Sequence, residues 1–294
     1  MTSPVLLAFP DAESLAARLA EASAVPLKPI RLHRFPDGES LVTLPPELPP
    51  QVALVRSLHH PNEKLVELLF ALATCPELGA QRRVLVAPYL CYMRQDKAFA
   101  PGQAVSQRIV AELLDRHAEV LLTVDPHLHR VARLEALFGR LAAHALSAAP
   151  LIGAFLAADP PDWLLGPDEE AEQWTAAVAA ACGVPYRVAA KVRRGDRAVE
   201  VRLPAAPWRQ SRVVIVDDVV SSGHTVAEAA RQLFARGAAR VEVACTHALY
   251  GEATAELLAD AGIARVVSTD SIPHPTNRIS LAPLLAAALR ECIR

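Results

Sequence analysis

Short apolar runs alternate with longer amphipathic stretches along the whole of this chain. The short runs are rich in Val, Ile and Leu. They read as strands buried on both faces, the pattern of a parallel sheet covered by helices. Strands are expected at 5–9, 52–55, 83–87, 119–124, 163–165, 213–216 and 241–246, with a last one at 265–268. Helical composition occupies 11–22, 62–74, 105–116, 150–159, a stretch ending at 182–183, 227–235, 252–261 and 279–289. Asp11 stands where the N-cap of the first helix should be. Pro36-Asp37-Gly38 is turn chemistry within 32–42 and predicts a hairpin-like excursion. The segments 185–190 and 198–203 read as two hairpin arms, with 191–197 as the cationic tip between them. Strands and helices alternate in both halves, so the expected class is α/β, with two doubly wound, mainly parallel-sheet domains.

Length agrees with that division. A chain of 294 residues suits two domains of about 150 each, expected at 1–146 and 147–294, with a terminal helix able to pack back on the first. Hydrophobic residues make up 52% of the chain, enough for two packed cores, and no run of about 18 apolar residues predicts a membrane span. The formal net charge of −2 gives no reason to expect nucleic acid or an anionic membrane as partner. Five cysteines lie far apart without a Cys-x-x-Cys pair, which argues against a zinc site and fits a reducing cytoplasm. The start of the chain does not read as a secretory signal, because Asp11 and Glu13 follow so short an apolar run.

One stretch concentrates the candidate chemistry. Val213-Val214-Ile215-Val216 is a buried strand, Asp217 and Asp218 stand at its expected end, and Ser221-Ser222-Gly223-His224-Thr225 is a loop of small residues before a helix. A strand, a small-residue loop and a helix N-terminus present backbone N–H groups to an anion. No Gly-Lys-Ser/Thr is present, so this is not a Walker A loop. Two carboxylates would repel a bare phosphate, but they suit sugar hydroxyls or Mg²⁺. A sugar phosphate satisfies both halves of the stretch.

The stretch resembles the phosphoribosyl-pyrophosphate (PRPP) loop shared by phosphoribosyltransferases and ribose-phosphate diphosphokinases, the PRPP synthetases. Further segments resemble the second family, in its order. They are Phe35-x-Asp37-Gly38-Glu39, the helix start at Asn62, Glu63, Leu65, Glu67, Leu68 and Leu69, Pro88-Tyr89-x-x-Tyr92-x-Arg94-Gln95-Asp96, Asp125-x-His127, Asp168, Lys191-x-Arg193 and the segment 268–273. Plain phosphoribosyltransferases lack the Arg94-Gln95-Asp96 segment. Two departures stand out. Arg130 occupies a position where the family often has Gln, and Glu169-Glu170-Ala171-Glu172 replaces a glycine-rich turn after Asp168.

The resemblance implies an enzyme that makes PRPP and AMP from ATP and ribose 5-phosphate, with Mg²⁺. It implies ATP contacts from Phe35, Asp37, Gly38, Glu39, Arg94, Gln95, Asp96 and His127, and metal contacts from His127 and Asp168. It assigns ribose 5-phosphate to Asp217, Asp218, Ser221, Ser222, Gly223, His224 and Thr225, and catalysis to Lys191 and Arg193 on a mobile flag. In the family the Phe35–Glu39 loop reaches ATP on a neighbouring subunit, which implies a homo-oligomer, at least a dimer. Two alternatives remain at this point: a phosphoribosyltransferase, and a catalytically silent regulatory relative.

Overall fold

The computed structural model describes residues 3–128, 131, 133–194 and 198–293, with the backbone alone over 191–194 and 198–200. Contacts divide the chain into two units, Met1–Leu146 with Leu281–Arg294, and Ser147–Ser280.

The first unit is built on a six-stranded sheet. Its strands are β1 (Val5–Ala8), β2 (Leu27–Pro29), β5 (Gln51–Val55), β6 (Arg82–Val86), β7 (Val120–Val124) and β8 (Ala142–Leu146), in the order β2-β1-β5-β6-β7-β8. Every pairing is parallel. All residues of β1 and β7 are buried, as a strand covered on both faces requires. Helices α1 (Glu13–Ser23), α2 (Pro61–Thr74) and α3 (Ser106–Asp115) supply crossovers. An antiparallel hairpin, β3 (Arg31–Arg34) and β4 (Ser40–Thr43), stands outside the sheet where Pro-Asp-Gly predicts it. β2 and β8 are additions to the expected strands.

Asp11 does not cap α1. The N-cap is Ala12, with no side-chain bond. Asp11 instead accepts from Arg56 Nε at 3.1 Å and pairs with Lys64 Nζ at 2.7 Å. Two cations hold a carboxylate more strongly than a backbone N–H does.

The second unit opens with α4 (Ala149–Ala157), which packs on α5 (Glu172–Cys182). Its sheet runs β10-β9-β13-β14-β15-β16, again all parallel. The strands are β9 (Trp163–Gly166), β10 (Tyr186–Val188), β13 (Arg212–Val220), β14 (Arg240–Ala248), β15 (Arg265–Thr269) and β16 (Asn277–Ile279). Helices α6 (His224–Ala235) and α7 (Glu252–Asp260) follow β13 and β14.

Several boundaries differ from the sequence reading, the last helix among them, which runs over Ala282–Cys292 rather than 279–289. β13 runs through both aspartates to Val220, and α6 begins at His224 rather than at 227. β15 is not the last strand, because β16 pairs beside it. The hairpin arms are β11 (Ala190–Arg194) and β12 (Ala198–Arg202), whereas 186–188 is the edge strand β10. Lys191 and Arg193 therefore belong to an arm, not to the turn.

The chain then returns to the first unit as α8 (Ala282–Cys292), packed on α1. Arg290 Nη1 donates to the Ala22 carbonyl at 2.9 Å.

Short 3-10 turns aside, the described elements fall into two matching series. β1 α1 β2 β3 β4 β5 α2 β6 α3 β7 β8 α4 is followed by β9 α5 β10 β11 β12 β13 α6 β14 α7 β15 β16 α8. Both sheets share one strand order, in which the direction of winding reverses between the first strand and its neighbour after the hairpin. Ligands of open α/β sheets bind beyond the carboxyl ends of the strands at such a reversal. The crevices indicated are those after β1 and β5, and after β9 and β13.

Candidate active site

In the second unit, the β9/β13 crevice gathers three carboxylates. Asp168 follows β9 and is half-buried. Its Oδ1 accepts from Glu170 N at 3.1 Å and Ala171 N at 3.3 Å, capping the 3-10 turn before α5. Thr175 on α5 supports the same loop. Its Oγ1 donates to the Ala171 carbonyl at 2.8 Å and lies 2.9 Å from where a Cβ on Gly166 would stand.

Asp217 and Asp218 lie inside β13, one half-buried and one buried. Consecutive strand residues face opposite ways. Asp217 Oδ1 accepts from Asp218 N at 2.9 Å, and Asp218 Oδ1 from Val219 N at 2.8 Å. Burial pushes the Asp217 carboxyl well above the usual range, reinforced by the neighbouring Asp218 and by the charge of Asp168. Burial, and after it the Asp217 charge, also push the Cys245 thiol up, so it is a poor nucleophile.

Ser221 to Thr225 join this strand to α6. Gly223 is the N-cap of α6, with φ of 73°, a conformation that a Cβ would strain. The Ala227 N–H closes the first helical turn on the Gly223 carbonyl at 2.8 Å. Ser222 and His224 are exposed and Ser221 and Thr225 half-buried, so small polar side chains and the open N-terminus of α6 line the same loop.

The first unit holds the remaining candidates. Phe35, Asp37, Gly38 and Glu39 form the exposed tip of the β3–β4 hairpin. It is closed by Phe35 N to Glu39 O at 2.8 Å, Gly38 N to Phe35 O at 2.9 Å and Glu39 N to Asp37 Oδ1 at 3.1 Å. The hairpin foot is tied down where Ser40 Oγ donates to Glu67 Oε1 at 2.8 Å. Glu67 Oε2 accepts from Arg56 Nη2 at 2.6 Å, and the Arg56 guanidinium also covers the Phe9 ring at 4.1 Å. This Asp11–Arg56–Glu67 chain occupies the β1/β5 crevice.

Arg94, Gln95 and Asp96 follow β6. Arg94 is exposed, Gln95 half-buried and Asp96 buried. Gln95 Oε1 accepts from Ser106 Oγ at 2.6 Å, and its carbonyl from Gln107 N at 3.3 Å, so α3 holds this loop. Tyr92 Oη donates to Asn62 Oδ1, linking it to the start of α2. Beyond β7, Asp125 is buried with φ of 38°, an uncommon conformation outside glycine, and half-buried His127 follows. Val124 N donates to the Pro88 carbonyl at 3.1 Å, so the loops after β6 and β7 are neighbours.

The structure thus groups Asp168 with Asp217 and Asp218, and the Arg94 loop with His127. The side chains of Lys191 and Arg193 lie outside the described residues, as does Arg130. The support supplied by Arg56 has no local sequence signal, because its partner Asp11 is 45 positions away in the chain. Among the described residues, no cluster of three or more His, Cys, Asp or Glu is arranged to hold a metal ion by itself. Asp168 and Asp217, close enough to feel each other's charge, do offer hard oxygen donors with excess negative charge. Such a set fits Mg²⁺, which is commonly held by one or two carboxylates together with waters and substrate phosphates.

Comparison with known proteins covers the whole chain. Residues 5–117 match the N-terminal domain of ribose phosphate pyrophosphokinase, and 140–277 match a phosphoribosyl transferase domain. A ribose-phosphate pyrophosphokinase from Methanopyrus kandleri is 37% identical over 98% of this chain and 99% of its own. Ribose-phosphate pyrophosphokinase 2 from Archaeoglobus fulgidus is 35% identical over 96% of this chain and 98% of its own. The crystal structure of phosphoribosylpyrophosphate synthetase from Mycobacterium smegmatis has the same fold, with a TM-score of 0.86 at 24% identity over 99% of both chains.

Proposed function

Because the chain belongs to the ribose-phosphate pyrophosphokinase family, we propose that it transfers the pyrophosphoryl group of ATP to the anomeric hydroxyl of ribose 5-phosphate, giving PRPP and AMP. The observation that carries the reading is the β13 loop of the second unit, where a carboxylate pair precedes a small-residue helix N-terminus. Full-length relatedness to ribose-phosphate pyrophosphokinases supports a kinase over a plain phosphoribosyltransferase.

The residue roles follow from their chemistry. The N-terminal amides of α6 and the hydroxyls of Ser221, Ser222 and Thr225 bind the 5-phosphate. Asp217 accepts from ribose hydroxyls, and Asp218 holds the strand end through Val219. The hairpin tip at Phe35, Asp37, Gly38 and Glu39 contacts ATP, as do Arg94, Gln95, Asp96 and His127. His127 in the first unit and Asp168 in the second are the proposed metal contacts, and Mg²⁺ when bound would neutralise polyphosphate charge and polarise the transferred group. The anomeric oxygen forms a bond to the β-phosphorus while the bond from that phosphorus to the AMP oxygen breaks. Lys191 and Arg193 offset the charge gathered on the departing oxygen.

A single assay tests the reading. Purified protein with ATP, Mg²⁺ and ribose 5-phosphate should yield AMP and PRPP in equal amounts. Ligand binding without turnover would instead identify a silent regulatory relative, and PRPP consumption with a nucleobase a phosphoribosyltransferase.

A further inference from the structure

The sugar-phosphate loop is clamped at both ends by backbone. At its entry Leu249 N donates to the Val220 carbonyl at 2.8 Å, and at its exit the Gly223 carbonyl closes the first turn of α6. The peptide between Ser221 and Ser222 belongs to neither the sheet nor the helix. A side chain from α7 reaches it. Thr254, in the first turn of α7, donates from Oγ1 to the Ser221 carbonyl at 3.2 Å. The same residue presses its methyl on the loop, with Cγ2 2.7 Å from where a Cβ on Gly223 would stand and Leu258 Cδ2 behind it at 3.3 Å.

A trans peptide carries its C=O and the following N–H in opposite directions. A hydroxyl that draws the Ser221 carbonyl towards α7 therefore turns the Ser222 N–H away from α7. Rotated the other way, the same peptide would present a carbonyl in place of a donor. A carbonyl facing a phosphate repels it, while a preset N–H binds it without reorganisation.

We propose that Thr254 is a positioning residue for the sugar-phosphate loop: its hydroxyl sets the Ser221–Ser222 peptide so that the Ser222 N–H joins the N-terminal amides of α6 as an anion donor. The inference rests on the reading of this loop as the ribose 5-phosphate site. Thr254 touches no reacting group, so its loss acts on binding of the sugar phosphate.

Thr254→Val keeps the branched shape and removes the hydroxyl. The expected result is a rise of about three- to tenfold in Kd and KM for ribose 5-phosphate, the worth of one neutral hydrogen bond. The KM for ATP and the turnover number should stay near wild type. Thr254→Ser keeps the hydroxyl and should bind ribose 5-phosphate nearly as wild type does. Calorimetric titration with ribose 5-phosphate in Mg²⁺ buffer, steady-state kinetics and thermal unfolding read the three outcomes. Should Thr254→Val be unfolded at assay temperature, Thr254→Ala also lacks the hydroxyl and gives the same reading. Wild-type protein that binds no ribose 5-phosphate overturns the functional reading, and this inference with it. Wild-type binding matched by the hydroxyl-free variants overturns the inference alone, as does a Thr254→Ser variant impaired as much as Thr254→Val.

Discussion

Asp217 pits stability against function at a single residue. Its folded pKa is raised by burial and by Asp218. For a group raised in this way, the contribution to stability is present at acid pH and lost as pH rises through the folded value. The charged form of this carboxyl therefore works against folding. Asp217→Asn retains an oxygen for the Asp218 N–H and removes the charge. Without ligand its Tm should rise by about 2–4 °C, as roughly 1 kcal/mol does in a domain of this size. Its use of ribose 5-phosphate should fall, because a neutral amide accepts less strongly from hydroxyls. Calorimetry and kinetics on one preparation check both directions; unchanged sugar-phosphate kinetics would remove Asp217 from the site. His59 makes a second residue-scale case. Burial, then the Lys64 charge, lower its pKa to about 4, although Asp11 opposes the shift. The Lys64 ammonium, a donor only, lies 3.2 Å from His59 Nε2, which requires an unprotonated ring nitrogen. Stability from this group is complete above the unfolded value near 6.5 and is lost as pH falls from there towards 4. Denaturant midpoints measured from pH 7 to pH 5 should fall, and His59→Gln should flatten that slope. The aspartates and the loop were legible in the sequence because they adjoin one another. The pairing of Asp11 with Arg56 was not, since those residues are 45 positions apart.

At the scale of elements, the misread hairpin is instructive. β10 and β11 are separated by Ala189 alone, so together they look like one arm. What divides them is a bond to a distant partner: Ala189 N donates to the Gly166 carbonyl at 2.9 Å, completing the sheet edge before the chain leaves it. β2, β8 and β16 escaped notice for a related reason, their short, small or polar sequences (Leu-Lys-Pro, Ala-Ala-His-Ala-Leu, Asn-Arg-Ile) giving edge strands no marked apolar run. The corrected hairpin places Lys191 and Arg193 at alternate positions of one arm, opposite Val201 and Val199. Lys191→Ala should lower turnover by about 10³-fold, the scale of cationic contributions to phosphoryl transfer, with the thermal midpoint little changed. Arg193→Ala should act in the same direction, and Arg193→Lys should rescue it only in part, since a planar fork is not a point charge. Near-normal turnover in Lys191→Ala would leave the hairpin no part in catalysis.

For the whole molecule, the proposed ATP contact from the hairpin tip predicts an assembly of at least two chains. Phe35 and Leu41 on the hairpin are 40% and 49% exposed, apolar surface of the kind that association covers. Light scattering at assay concentrations should give at least a dimer mass, and a fully active monomer would overturn that assignment. The division into two units was legible from length and from the strand–helix alternation. The return of α8 to the first unit was legible only as an option, because an Ala/Leu helix suits either core. That return has a consequence for biosynthesis. Arg290 meets Ala22 across 268 positions of sequence, so a surface made at the start of translation waits for a helix made near its finish. At about 5–20 residues per second, the ribosome needs on the order of ten seconds to deliver the intervening unit. During that interval the nascent first unit carries an uncovered flank on α1, a natural place for chaperones to engage the growing chain.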